Sequence, residues 1–219
     1  MMALPQTVMN ALADMRIRIT EWWEDPETDR EQNSPLFQLI LAFSDGAGES
    51  ETVERLGRLA LYAARRALPC WDLYCDGTKP RAAVEAVEAW IRNGTSPSSW
   101  DSLVLAERPA YRGHPIGDCR YADTSCAAEA AAYAARFAKD HVPLNAHRAV
   151  ACADMAFDQS PLCEKDHFRE WLLDIAVPAA YERRDLTPEE CEVLREYDDG
   201  DIPAEREREA AYWNAWLRN

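Results

Sequence analysis

The sequence predicts an all-α protein, a single array of about eight to ten helices with no substantial sheet. Apolar residues recur at i, i+3 and i+4 in most segments, which is the spacing of an amphipathic helix. The period-two alternation of a half-buried strand is almost absent. A chain of 219 residues can also bury one core without the support of a disulfide or a metal. We therefore expect one all-helical domain over residues 1–219.

The predicted helices are delimited by proline, glycine and capping residues. In chain order they are Thr7–Glu24, Leu36–Phe43, Glu51–Leu68, Ala82–Arg92, a short helix ending at Ala106, Ser125–Asp140, Ala146–Asp158, Glu164–Glu182, one from Thr187 to about Asp199, and one beginning near Pro203. Ser34 and Ser50 are expected to cap the second and third helices. Residues 1–49 thus supply acidic N-terminal helices, and residues 165–219 supply the C-terminal ones.

The helix pair over Leu59–Gly94 has the clearest boundaries. Pro69 lacks a backbone donor and crowds the preceding turn, so the first helix is expected to end or kink there. Pro80 suits the first turn of the second helix. Gly94 suits the left-handed residue just past its end. On the second helix Val84, Trp90 and their apolar neighbours form one stripe that is expected to be buried.

The second half of the chain has similar signals. Asp123 or Thr124 is expected to cap the alanine-rich helix, and Asn145 the helix after it. Pro178 should kink the helix over Glu164–Glu182. The sequence Thr187-Pro188-Glu189-Glu190 has the form of a capping box with proline at the first helical position.

Charge and cysteine content limit the functional classes. The formal net charge is −15, so the chain should repel nucleic acids and anionic membranes and attract cationic surfaces. The clearest basic groups are expected to form internal ion pairs or helix-end charges: Arg65, Arg66, Lys79, Arg81, Arg183 and Arg184. The seven cysteines include no CxxC pair, and no signal peptide or membrane-spanning run is evident. These features predict a cytoplasmic protein with reduced thiols.

An ordered pattern over about a hundred residues resembles a group of bacterial immunity proteins, the immunity-protein-five-like group. The matching residues are Ala64, Arg65, Leu68, Pro69, Asp76, Pro80, Arg81, Ala82, Glu85, Ala86, Ala89 and Trp90. The alanine-rich helices Cys126–Ala138 and Ala146–Ala156 are similar to the second part of that domain. The resemblance covers residues 56–156 and implies a protein that neutralises a cognate toxin of interbacterial competition. It does not cover the head Met1–Glu49 or the tail Lys165–Asn219, and the insertion Trp100–Tyr121 is longer than the family pattern implies.

Catalytic and metal-binding patterns are weak. His114 could join Cys126, His141 or His147 in a zinc site, but none of these residues has metal-finger spacing. Local adjacency of His114, Asp118 and Cys119 does not indicate a triad, which is assembled in space. Phosphate-binding loops and protease or esterase signatures are absent from the sequence. We expect no catalytic residue, no metal and no cofactor.

Acidic clusters beside aromatic residues are the predicted partner contacts. A charge run alone is usually a solvated face, but the turn Tyr197–Asp201 holds like charges together beside an aromatic ring. The residues expected to contact a partner are Trp22, Trp23, Glu24, Asp25, His114, Tyr197, Asp198, Asp199 and Asp201. Carboxylates there would meet a basic cleft, and the aromatic side chains would anchor the contact.

The leading hypothesis is a cytoplasmic immunity protein that occludes the active site of a cognate protein toxin. An alternative is a helical scaffold or adaptor protein without a toxin partner. A third is a small enzyme that uses the loop 108–123, with His114, Asp118 and Cys119. The sequence leaves the oligomeric state and the identity of the toxin open.

Overall fold

The computed structural model describes residues 4–17, 34–72, 75, 77–106, 119–157 and 165–192. Its helices are α1 (Gln6–Ile17), α2 (Pro35–Ala42), α3 (Glu49–Asp72), α4 (Lys79–Asn93), α5 (Cys119–Asp140), α6 (Pro143–Ala156), α7 (Lys165–Trp171), α8 (Val177–Tyr181) and α9 (Pro188–Glu192). A π-helical turn, Leu172–Ala176, joins α7 to α8. None of these described residues forms a strand, and the all-α prediction is confirmed.

The core is built around α3, α5 and α6, which pack against one another. Alanines of α5 such as Ala127, Ala131 and Ala134 are fully buried, and their small side chains let the helix axes approach closely. Helix α4 covers α5 and α3 on one side, while α2 contacts α6. The segment over residues 56–156 therefore supplies most of the interior.

Several local boundaries form as predicted. Ser34 Oγ accepts the Phe37 N–H at 3.1 Å and caps α2. Gly94 follows α4 with φ +63°. In the capping box, Glu190 N–H donates to Thr187 Oγ1 at 3.2 Å, and Thr187 N–H donates to Glu190 Oε2 at 2.9 Å. These contacts satisfy backbone donors that a helix start otherwise leaves open.

Two proline predictions have different outcomes. Helix α3 does not end at Pro69 but continues to Asp72. The added turn buries Cys70 and Trp71, and Trp71 Nε1 donates to the Gly77 carbonyl at 2.7 Å, which offsets the cost of the proline. At Pro178 the expected disturbance takes the form of the preceding π-helical turn, where Val177 N–H donates to the Leu172 carbonyl.

Three other boundary predictions were wrong. Helix α5 begins at Cys119, so Thr124 lies within it and is fully buried. Val142, not Asn145, precedes α6, and the Asn145 side chain instead donates to the Asp140 carboxylate. The expected short helix ending at Ala106 is a single turn closed by Trp100.

A buried ion pair joins α6 to α7. Arg169 Nε and Nη2 donate to Asp154 Oδ1 and Oδ2 at 2.8 and 3.0 Å. Asp154 is fully buried and Arg169 is 6% exposed. The two-point geometry matches the guanidinium fork to the carboxylate, which is the arrangement that makes burial of both charges tolerable.

The described cysteines carry free thiols: Cys70, Cys75, Cys126, Cys152 and Cys191. Cys152 lies in α6 with its Sγ 3.8 Å from Glu129 Oε2. Burial, together with the nearby Glu129, raises the pKa of this thiol well above its ordinary value. A thiol in such surroundings is unreactive and packs as a small apolar group.

Candidate functional site

Most of the sequence-predicted site residues lie outside the described residues. This holds for Trp22, Trp23, Glu24, Asp25, His114, Asp118, Tyr197, Asp198, Asp199 and Asp201. Cys119 is the first residue of α5, and its side chain is also outside the described part. The partner-contact predictions at these positions therefore stay predictions. The described residues show instead how the remaining charges and aromatic side chains of the molecule are arranged.

An ion-pair network links α3 to the segment between α8 and α9. Arg58 Nε lies 3.1 Å from Glu54 Oε1, and its Nη1 lies 2.7 Å from Asp185 Oδ1. Arg58 also donates to the Tyr62 hydroxyl, which in turn donates to the Arg184 carbonyl. Burial raises the pKa of the Tyr62 phenol above its ordinary value, so this group stays a neutral hydrogen-bond donor.

Arg184 binds a carboxylate in the first turn of α9. Its Nη1 and Nη2 donate to Glu190 Oε2 and Oε1 at 2.7 and 2.8 Å. This contact lowers the pKa of Glu190 and raises that of Arg184 from their ordinary values. Arg183 lies 3.8 Å from Glu51 and 3.6 Å from Glu54. The prediction that Arg183 and Arg184 form internal ion pairs is confirmed.

Every arginine side chain in the described part of the molecule contacts a carboxylate, a carbonyl or an aromatic ring. These residues are Arg16, Arg55, Arg58, Arg65, Arg66, Arg81, Arg92, Arg136, Arg148, Arg169, Arg183 and Arg184. In contrast, Asp45, Glu49, Glu85 and Glu170 are exposed and make no ion pair with a described residue. These arginines are thus held in contacts within the fold, while several carboxylates are exposed and have no ion-pair partner among the described residues.

A small pocket lies between α3, α4 and the residues that precede α9. Leu61, Ile91 and Leu186 form its apolar part, and Arg65 and Arg92 share Glu88 at its rim, at 3.2 and 2.8 Å. Its volume is about 30 Å³. That is room for one or two water molecules and not for a substrate.

Ser34 and His147 form a buried hydroxyl–imidazole pair between α2 and α6. Ser34 Oγ lies 3.1 Å from His147 Nε2, and the Phe37 ring meets the imidazole edge-on at 5.7 Å. Ser34 and His147 are 6% and 2% exposed. Because the hydroxyl also caps α2 and lies out of reach of solvent, this pair joins two helices and is not placed to attack a substrate.

The zinc arrangement considered from the sequence is not formed by its described members. His147 contacts Ser34, while His141 stacks on Trp90 across the α4–α5 interface. Within the described ranges, no three histidine, cysteine, aspartate or glutamate side chains are grouped closely enough to hold a metal ion.

The turn between α5 and α6 presents an aromatic pair at the surface. The Trp90 and His141 rings stack with centroids 5.6 Å apart and an interplanar angle of 25°. Trp90 is only partly buried, contrary to the sequence prediction, and His141 is exposed. Sequence reasoning missed this pair because the left-handed His141 backbone, with φ +58°, has no glycine or asparagine to signal it.

Comparison of the chain with protein-family models, with curated proteins and with solved structures finds no match. The resemblance to the immunity-protein-five-like group therefore stays a prediction based on the residue pattern. None of the described helices has both the length and the apolar character needed to cross a membrane.

Proposed function

We propose that this protein is a cytoplasmic immunity protein that binds a cognate bacterial toxin and occludes its active site. The proposal combines the residue pattern over residues 56–156 with the arrangement of charge on the described surface. It describes a binding protein without catalytic groups, metal or cofactor of its own.

The observation that carries the proposal is the internal engagement of the arginines. Guanidinium groups such as those of Arg58 and Arg184 neutralise carboxylates of their own chain. The formal net charge of the full sequence is −15, and we expect this excess to attract a basic surface. Such attraction speeds encounter and selects the partner more than it adds raw affinity. A toxin that acts on nucleic acid or a nucleotide has the basic cleft that this charge would fit.

Under this proposal, different parts of the molecule form the interior and contact the toxin. Helices α3, α5 and α6 form the interior, and their buried alanines serve packing. Contact with a toxin is then expected from residues outside these three helices, including the predicted contacts Trp22, Trp23 and the segment Tyr197–Asp201.

A growth assay tests the proposal. The product of the neighbouring gene is expressed in a bacterial host with and without this protein. We expect the neighbour to arrest growth alone and co-expression to restore it. Failure to protect from any neighbouring gene product, together with a metabolic gene neighbourhood, would contradict the proposal and favour a scaffold or adaptor role.

The enzyme alternative is tested in the same assay. Protein carrying Asp118→Ala and Cys119→Ala, with the predicted toxin contact His114 left in place, should protect the host as well as the unmodified chain. Loss of protection by this variant, with its thermal stability unchanged, would indicate chemistry in the loop 108–123.

A further inference from the structure

The end of the molecule where α4, α5 and α6 meet carries an ordered aromatic surface. His141 follows α5, and its N–H donates to the Phe137 carbonyl at 2.8 Å. Its ring centroid lies 5.6 Å from that of Trp90, which it stacks on, and 6.2 Å from that of Phe137, to which it is tilted. Phe137 is fully buried while His141 is exposed, so the imidazole connects the surface to a core side chain.

The Trp90–His141 stack goes with an unfavourable backbone feature at two positions, Gly57 and His141. A Cβ atom at Gly57 would lie 2.8 Å from Trp90 Cζ3, so the indole occupies space that only glycine leaves open. His141 has φ +58°, which costs a non-glycine residue about 1 kcal/mol. Glycine is the usual residue just past a helix end. The chain therefore has an imidazole at a backbone position that glycine usually occupies.

Val142 follows His141 in the chain and adds an apolar side chain that is 44% exposed. Its backbone is fixed, because its N–H donates to Asp140 Oδ1 at 3.0 Å.

Asp140 adds an oriented negative charge beside the stack. Its carboxylate accepts the Val142 N–H at 3.0 Å, and Asn145 Nδ2 donates to Oδ1 and Oδ2 at 3.0 and 2.9 Å. Asp140 is exposed and has no cationic partner within the described residues. Neutral donors thus fix its position without neutralising its charge.

We propose that the surface formed by Trp90, Asp140, His141 and Val142, here called the α5–α6 turn surface, is where the toxin docks. The inference rests on the proposed function and names the binding surface for it. The partner places an aromatic or aliphatic side chain on the Trp90–His141 stack and a lysine or arginine on Asp140. An aromatic centre with a charged rim is the composition that concentrates binding energy in protein interfaces.

The test measures binding of the purified neighbouring gene product by calorimetry. His141→Gly removes the imidazole and relieves the positive φ, so the fold should be as stable as before or more stable. We expect this variant to bind at least about tenfold more weakly. Asp140→Asn keeps an acceptor for Val142 N–H but removes the charge. It should weaken binding at least about threefold and reduce the salt dependence.

Leu41→Ala is the matched control, because Leu41 is 45% exposed on α2, away from this surface. It should bind like the unmodified chain. If the unmodified chain binds and His141→Gly and Asp140→Asn bind equally well, the surface is wrong while the immunity function stands. An equal loss by Leu41→Ala also overturns the surface. No binding by the unmodified chain overturns the immunity function and this inference with it.

Discussion

Gly57 shows how one missing side chain positions a surface residue. It lies in the buried part of α3, where the Trp90 ring and Phe137 Cε1 lie within 3.5 Å of the position that a Cβ atom would take. Glycine inside a helix costs about 1 kcal/mol relative to alanine. This cost is offset by packing, because the missing side chain at Gly57 leaves the space in which Trp90 of α4 packs against α3 and α5.

Gly57→Ala should lower the free energy of unfolding by about 1–2 kcal/mol. The added methyl forces the Trp90 indole to shift, and this overpacking outweighs the gain in helix propensity. Urea unfolding followed by circular dichroism measures the change. Gly48→Ala, at the residue before α3 where a Cβ would meet nothing within 4 Å, should cost only about 0.5 kcal/mol, because alanine is a poorer residue than glycine at a helix start. Equal effects of the two substitutions would contradict the close approach.

Glu190 links stability to pH at the start of α9. Its pKa is lowered in the folded state by Arg184. A carboxyl group with a lowered folded pKa contributes stability above its unfolded pKa of about 4.3, and this contribution is lost as the pH falls through the folded value. Glu190→Gln should therefore cost about 1 kcal/mol at neutral pH, and the difference from the unmodified chain should shrink when the pH is lowered to about pH 3.

Urea unfolding of both proteins at the two pH values checks this prediction. Glu170→Gln is the control, because Glu170 is exposed and makes no ion pair with a described residue. It should leave stability unchanged at either pH. A Glu190→Gln penalty that persists in acid would mean that packing, and not the Arg184 pair, is the source of the contribution.

Helix α3 shows that the sequence could predict where a helix lies but not where it ends. Apolar spacing located the helix, and local capping signals located the starts of α2, α4 and α9. The end of α3 was missed because tertiary contacts of Trp71 extend the helix past Pro69. Local propensity does not contain such contacts. The start of α5 was missed for the same reason, since Thr124 is fully buried within the helix.

The Asp154–Arg169 pair could not be predicted because its two residues lie on different helices. Neither the charge pattern of α6 nor that of α7 indicates a buried partner. The Trp90–His141 stack was missed similarly, since it depends on how α4 packs on α5. The scaffold could thus be predicted from sequence, whereas the side-chain arrangement at the candidate site depends on the packing of distant elements.

Arg169→Met should destabilise the α6–α7 junction strongly. It leaves the Asp154 carboxylate buried without its guanidinium, at a cost of about 3–5 kcal/mol. The double variant Asp154→Leu with Arg169→Met should recover most of that loss, because no buried charge remains. Chemical unfolding of the single and double variants measures the coupling. A double variant as unstable as the single one would contradict this account of the pair.

Across the whole molecule, negative charge is spread over the helices. It is also concentrated in short segments of the sequence. The run from Tyr197 to Asp201 contains three aspartates within four residues, Asp198, Asp199 and Asp201. If this turn meets a basic toxin, its charges act mainly during encounter, since steering fields decay over about 10 Å at 0.1 M salt.

Replacing Asp198, Asp199 and Asp201 by asparagine should slow association with the toxin about tenfold at low salt. The effect should shrink as salt is added. Replacing Glu205, Glu207 and Glu209 by glutamine removes the same charge from a run that the sequence indicates is ordinary solvated surface, and it should slow association less. Stopped-flow association rates across a salt series measure both. Equal slowing by the two triple variants would contradict a contact at the turn.

Calorimetric titration against the purified neighbouring gene product measures whether this protein binds a basic toxin. We expect saturable binding with a dissociation constant of about 1 nM or below at low salt, weakening as salt is raised. Absence of binding at low salt, with both proteins folded, would contradict it.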